Sequence, residues 1–84
     1  MNWTLPAHVA WTPTEYGGVL LDSAIGEYWT LNATAATMLD CLLAGPSPAT
    51  DRLAADLGAD PATIAADLAE FLGELRGAGL VVAR

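Results

Sequence analysis

Apolar and polar residues alternate over the first third of the chain and then recur every third or fourth position, so the pattern changes from β to α period near Asn32. His8-Val9-Ala10-Trp11-Thr12 is short and rich in β-formers and predicts a first strand that ends at Pro13. Pro13 to Gly17 reads as a turn, and Gly18 to Asp22 and Glu27 to Leu31 complete a three-stranded antiparallel meander. Ala24-Ile25-Gly26 fits a three-residue hairpin loop with Gly26 at positive φ. That loop sets Ser23 opposite Glu27, Asp22 opposite Tyr28, Leu21 opposite Trp29 and Val19 opposite Leu31. Val19, Leu21, Trp29 and Leu31 are then expected on the core face, with Leu20, Tyr28 and Thr30 on the other.

Three helices follow. Asn32 is a good N-cap, and Ala35, Met38, Leu39, Leu42 and Leu43 form one helical face that Gly45-Pro46 ends. Ser47-Pro48 sets a cap before a proline for a short second helix, with Leu53 and Leu57 one turn apart and Gly58 as its stop. Asp60-Pro61 repeats the device. Behind it Ile64, Leu68, Phe71, Leu72 and Leu75 make a regular apolar stripe, with Asp67, Glu70 and Glu74 on the opposite side. Gly77 and Gly79 close this helix, and Leu80-Val81-Val82 predicts a short extended tail. The expected class is α+β, a three-stranded antiparallel sheet followed by three helices, winged helix-turn-helix-like.

Composition narrows what such a domain does. The 84 residues suit a single domain, 1–84, and 54% hydrophobic with 15% charged residues argues for a folded chain. No apolar run approaches the ~18 residues of a membrane span, and the first residues lack a basic segment followed by an apolar one. A cytoplasmic protein without a membrane partner is expected, with Trp3 and Pro6 in a short lead-in arm. One cysteine, Cys41, and one histidine, His8, make no disulfide framework, no metal set and no nucleophile–base constellation. No enzyme activity, metal or cofactor is expected, and Cys41 reads as an inert thiol on the apolar side of the first helix.

The net charge of −7 arises from ten acids against Arg52, Arg76 and Arg84. Nucleic acid is recognised through clustered Lys and Arg that displace counterions, so a nucleic-acid partner is not expected. The helix that would enter a groove presents Asp67, Glu70 and Glu74 instead.

The run Val19-Leu20-Leu21-Asp22, then Gly26-Glu27-Tyr28-Trp29-Thr30-Leu31-Asn32, then Ala33-Thr34-Ala35, resembles the PqqD-like family of RiPP recognition elements. Asp67 to Leu75 with Gly79-Leu80 is similar to that family's third helix and ending. The likeness runs from His8 onward, and the chain most resembles the stand-alone leader-binding proteins of lasso-peptide clusters. It implies binding of a precursor's leader as an added strand beside the third strand, in a cleft bounded by the third helix. It also implies delivery to a separate cysteine leader peptidase, with a ring-closing cyclase.

Carried onto this chain, the implied leader-binding residues are Glu27, Tyr28, Trp29, Thr30 and Leu31 on the strand. On the helix they are Asp67, Leu68, Phe71, Leu72, Glu74 and Leu75. Core packing alone also accounts for Trp29, Leu31 and the helix apolar residues, and a solvated face accounts for the carboxylates. Two other classes stay open beside peptide binding. Asp22-Ser23 is similar to the phosphopantetheine site of acyl or peptidyl carrier proteins, although there the serine opens a helix. The element order also suits a winged-helix DNA binder, which the charge disfavours.

Overall fold

A computed structural model describes residues 3–44 and 50–83, so the caps read from Gly45-Pro46 and Ser47-Pro48 lie outside the described residues. The elements are β1 (Trp3–Thr4), β2 (Val9–Thr14), β3 (Gly17–Asp22), β4 (Glu27–Asn32), α1 (Ala33–Ala44), α2 (Thr50–Leu57), α3 (Pro61–Gly77) and β5 (Val82–Ala83). β2, β3 and β4 form an antiparallel sheet in that order, so β4 is an edge. Its side away from β3 has no strand partner among the described residues.

The first strand runs on through Pro13 to Thr14 instead of ending before the proline. β2 is the other edge, where half of the N–H groups need no partner, so proline is tolerated there. Only Glu15 and Tyr16 remain for the turn, because Thr14 already pairs with Gly17. Gly18 lies beneath the Trp11 ring, where an added Cβ would come within 2.1 Å of the ring edge. The Trp11 Nε1–H donates to Asp40 Oδ1 at 3.0 Å and ties this sheet edge to α1.

The second hairpin departs from the expected register. Asp22, not Ser23, pairs with Glu27, so Leu20 faces Trp29, Leu21 faces Tyr28 and Val19 faces Thr30. The loop has four residues, Ser23 to Gly26, and Asp22 is what lengthens it. Its Oδ1 accepts the Ala24 N–H at 2.9 Å, and its carbonyl accepts the Gly26 N–H at 2.9 Å. Gly26 does take positive φ, 69°. Asp22 is buried, with Oδ2 3.8 Å from His8 Nε2, and the Ser23 N–H and Oγ–H both donate to the His8 carbonyl.

One residue of slip inverts the first arm. Leu20 is fully buried and Leu21 is 43% exposed, the reverse of the expected assignment. Trp29 and Leu31 keep the inner face, half-buried, and Tyr28 and Thr30 keep the outer one, exposed.

α1 covers the inner face of β3 and β4, and α2 packs on α3. Asn32 Oδ1 caps α1 through the Ala35 N–H at 2.8 Å, and Asp60 Oδ1 caps α3 through the Ala62 N–H at 3.0 Å, with Pro61 in its first turn. The core is built from Leu20, Leu39 and Leu42, all fully buried, with Met38, Leu53, Ile64, Leu68, Leu75 and Leu80 around them. Each fully buried leucine contributes roughly 1.5–3 kcal/mol. On α1, Ala36 is buried, whereas Ala35, Cys41 and Leu43 are half-buried.

α3 ends in a Schellman motif. The Gly79 N–H donates to the Arg76 carbonyl at 3.1 Å and the Leu80 N–H to the Leu75 carbonyl at 2.9 Å, with Gly79 at φ 73°. The motif turns Leu80 and Val81 into the core. The tail then pairs with the lead-in arm, Trp3 opposite Ala83 and Thr4 opposite Val82, so the arm is a strand and Trp3 is buried. Arg76 lies 5.2 Å over the Trp3 ring.

Candidate functional site

The free edge of β4 borders a cleft of about 150 Å³. Leu20, Trp29 and Leu31 rise from the sheet on one side, and Phe71, Glu74 and Leu75 descend from α3 on the other, with Ala78 and Leu80 closing the end. On α3 the spacing explains the wall. Phe71, Glu74, Leu75 and Ala78 stand at i, i+3, i+4 and i+7 and so share one face, and Asp67 continues that face one turn earlier. Leu75 is buried at the floor, Phe71 is half-buried and Glu74 is exposed, so the cleft is apolar inside with a carboxylate at its lip.

The site residues expected from the sequence separate into three groups. Trp29, Leu31, Phe71, Glu74 and Leu75 come together in the cleft. Leu68 is buried in the core and Leu72 packs half-buried against it, so both hold α3 in place from behind. Tyr28 and Thr30 point to the outer face of the sheet, with Tyr28 68% exposed, while Glu27 and Asp67 are exposed beyond the cleft. The backbone of the five β4 residues expected at the site, Glu27 to Leu31, still lies along the free edge.

Leu20, Ala78 and Leu80 line the cleft without having been expected there. Leu80 was legible in principle, since a Schellman glycine is followed by an apolar residue that folds back on the helix. Leu20 follows only from the hairpin register.

Ser23 lies in the β3–β4 loop, not at a helix start, and its hydroxyl is engaged with the His8 carbonyl. Asp67, Glu70 and Glu74 are exposed on α3. Among the described residues no group of three or more His, Cys, Asp or Glu is placed to hold a metal ion, and no helix is long and apolar enough to cross a membrane.

Comparison with known proteins decides the family. The model of the family "Coenzyme PQQ synthesis protein D (PqqD)" matches residues 17–81, from the first residue of β3 to the buried Val81. The chain belongs to the PqqD family. Its likeness to PqqD-like RiPP recognition elements therefore stands. No curated protein sequence matches.

Two solved structures share the fold over their whole length. One is described as "Lasso peptide synthetase B1 complexed with the leader peptide". It is 31% identical, with 99% of this chain and 100% of that chain covered and a TM-score of 0.82. The other, "TbiB1 in Complex with the TbiA(beta) Leader Peptide", is 26% identical, with 100% and 98% covered and a TM-score of 0.84. Both structures hold leader peptides, and the α+β architecture of this chain is theirs.

Proposed function

We propose that this domain, residues 1–84, binds the leader of a ribosomally made precursor peptide as a fourth strand along β4. It then delivers that leader to a separate cysteine peptidase in lasso-peptide biosynthesis, ahead of a ring-closing cyclase. The observation that carries this reading is the unpaired edge of β4 beside an apolar cleft, in a chain whose structural relatives hold leader peptides. The protein contributes binding and no chemistry of its own. The setting is cytoplasmic, where ribosomal products arise.

Backbone pairing and ordering costs nearly cancel. Each strand hydrogen bond is worth about 0.5–1.5 kcal/mol net, and fixing each peptide residue costs about 1–2 kcal/mol. Side chains must therefore supply the surplus. Apolar leader residues entering between Trp29, Leu31 and Phe71, over Leu75, provide it by burial. Glu74 at the lip and Asp67 two turns beyond favour a basic leader residue there. Side chains on the alternate face of the leader lie beside Tyr28 and Thr30, and Glu27 marks the hairpin end of the strand. Leu68 and Leu72 keep the helix wall at the right distance.

Amide hydrogen exchange tests the proposal directly. On adding the leader peptide of the precursor encoded beside this protein, amides within residues 27–31 become protected, and a scrambled peptide of the same composition has no effect. Saturable binding with protection confined to α1 or α2 instead would overturn strand addition at β4.

A further inference from the structure

The two ends of the chain meet just beyond the cleft wall, and the site described above makes no use of their junction. β1 and β5 form a ladder of only two residue pairs, Trp3 with Ala83 and Thr4 with Val82. A ribbon that short is marginal by itself, so what holds it is the packing of Trp3. Trp3 is buried in one cluster with Leu75, Leu80 and Val81, and the Arg76 guanidinium of α3 stands 5.2 Å over its ring. β1 also packs on α1. The family model spans residues 17–81 and takes in neither strand.

This clasp is joined to the cleft at two points. Leu80 closes the end of the cleft, and Val81 leads from it straight into β5. Leu75 lines the floor, and the next residue on α3 is Arg76. The Leu80 N–H donates to the Leu75 carbonyl at 2.9 Å, which ties the two points together. Neither Trp3 nor any residue of β5 lines the cleft itself.

We propose that Trp3 is a positioning residue for the leader: through the clasp it holds Leu80 against Leu75, and a leader side chain packed on Leu80 tightens the clasp in return. The proposal rests on the leader-binding reading above. An apolar leader residue in the cleft fixes Leu80 from the open side, which leaves β5 less freedom to lose when it pairs with β1. Conversely, without Trp3 the end wall is fixed only through α3, and part of the leader's binding goes into ordering it. Leader and clasp then strengthen each other by the same factor.

Amide exchange of the full chain, with and without the leader peptide of the precursor encoded beside this protein, tests the coupling in the wild type. Leader is expected to slow exchange several-fold across residues 81–83, beyond the cleft, as well as within residues 27–31. Two variants test the positioning role by fluorescence anisotropy with that peptide, and urea melts correct each Kd for the folded fraction. Trp3→Leu should raise the Kd about tenfold and abolish the protection at 81–83, whereas Trp3→Phe, which keeps a ring under Arg76, should bind within about twofold of wild type. Leader bound at residues 27–31 with unchanged exchange at 81–83 overturns the coupling, and that comparison needs no variant to fold. A folded Trp3→Leu protein with wild-type affinity, or equal losses in Trp3→Leu and Trp3→Phe, overturns the positioning role. A wild-type protein that binds no leader removes the functional reading itself, and this proposal with it.

Discussion

Replacing Phe71 with alanine separates the cleft from the core in one sample. Phe71 is half-buried, lining the cleft while packing against the apolar cluster from α3. A fully buried Phe→Ala change costs about 3–5 kcal/mol, so a half-buried one costs roughly 2 kcal/mol. A domain of 84 residues has about 4–12 kcal/mol of stability at the usual per-residue values. The variant therefore keeps at least ~2 kcal/mol, enough for more than ~95% of molecules to stay folded. Loss of folded protein then changes an apparent Kd by only about a twentieth. Removing a central aromatic from an interface typically costs about 1–2 kcal/mol or more, which is roughly a 5- to 30-fold rise in Kd. Urea melts and fluorescence anisotropy with a labelled leader peptide on the same preparation read the two effects separately. Tyr28→Ala should weaken leader binding less, because that side chain lies on the outer face. A Phe71→Ala protein that is folded and binds leader within twofold of wild type would refute the cleft as the side-chain site.

Gly17→Ala tests the sheet that presents β4. Gly17 sits at φ 144°, and a Cβ there would lie 1.9 Å from the Leu31 carbonyl oxygen, so a loss of about 3 kcal/mol or more is expected by urea denaturation. A loss under about 1 kcal/mol would contradict the close approach of β3 and β4 at this end. Glu74→Lys should weaken a leader carrying a basic residue at the lip about 3- to 10-fold at low salt, and the difference should shrink as salt rises. A salt-independent loss would show that the Glu74 carboxylate does not meet a cation.

What could be read from the sequence was whatever is decided within a few residues. The caps at Asn32 and Asp60 each close a hydrogen bond two or three residues away, so the starts of α1 and α3 are legible in the residue types alone. Trp3 and Val82 belong to strands whose partners lie at opposite ends of the chain, and no local pattern announces that pairing. The register of the second hairpin is also a long-range matter. Leu20 and Leu21 are equally apolar, and a three- or a four-residue loop fits the composition of Ser23 to Gly26. What decides is the burial of Asp22, supported by the Ala24 N–H and by His8 from beyond the start of β2. Yet the error touches the cleft at only one place, Leu20. The facing of Trp29 and Leu31 depends on alternation counted back from Asn32, which must turn the chain into α1 over the inner side of the sheet. Loop length governs β3, whereas the helix junction governs β4. The facing of the β4 residues was therefore legible even though the strand that supports them was read one position out of register.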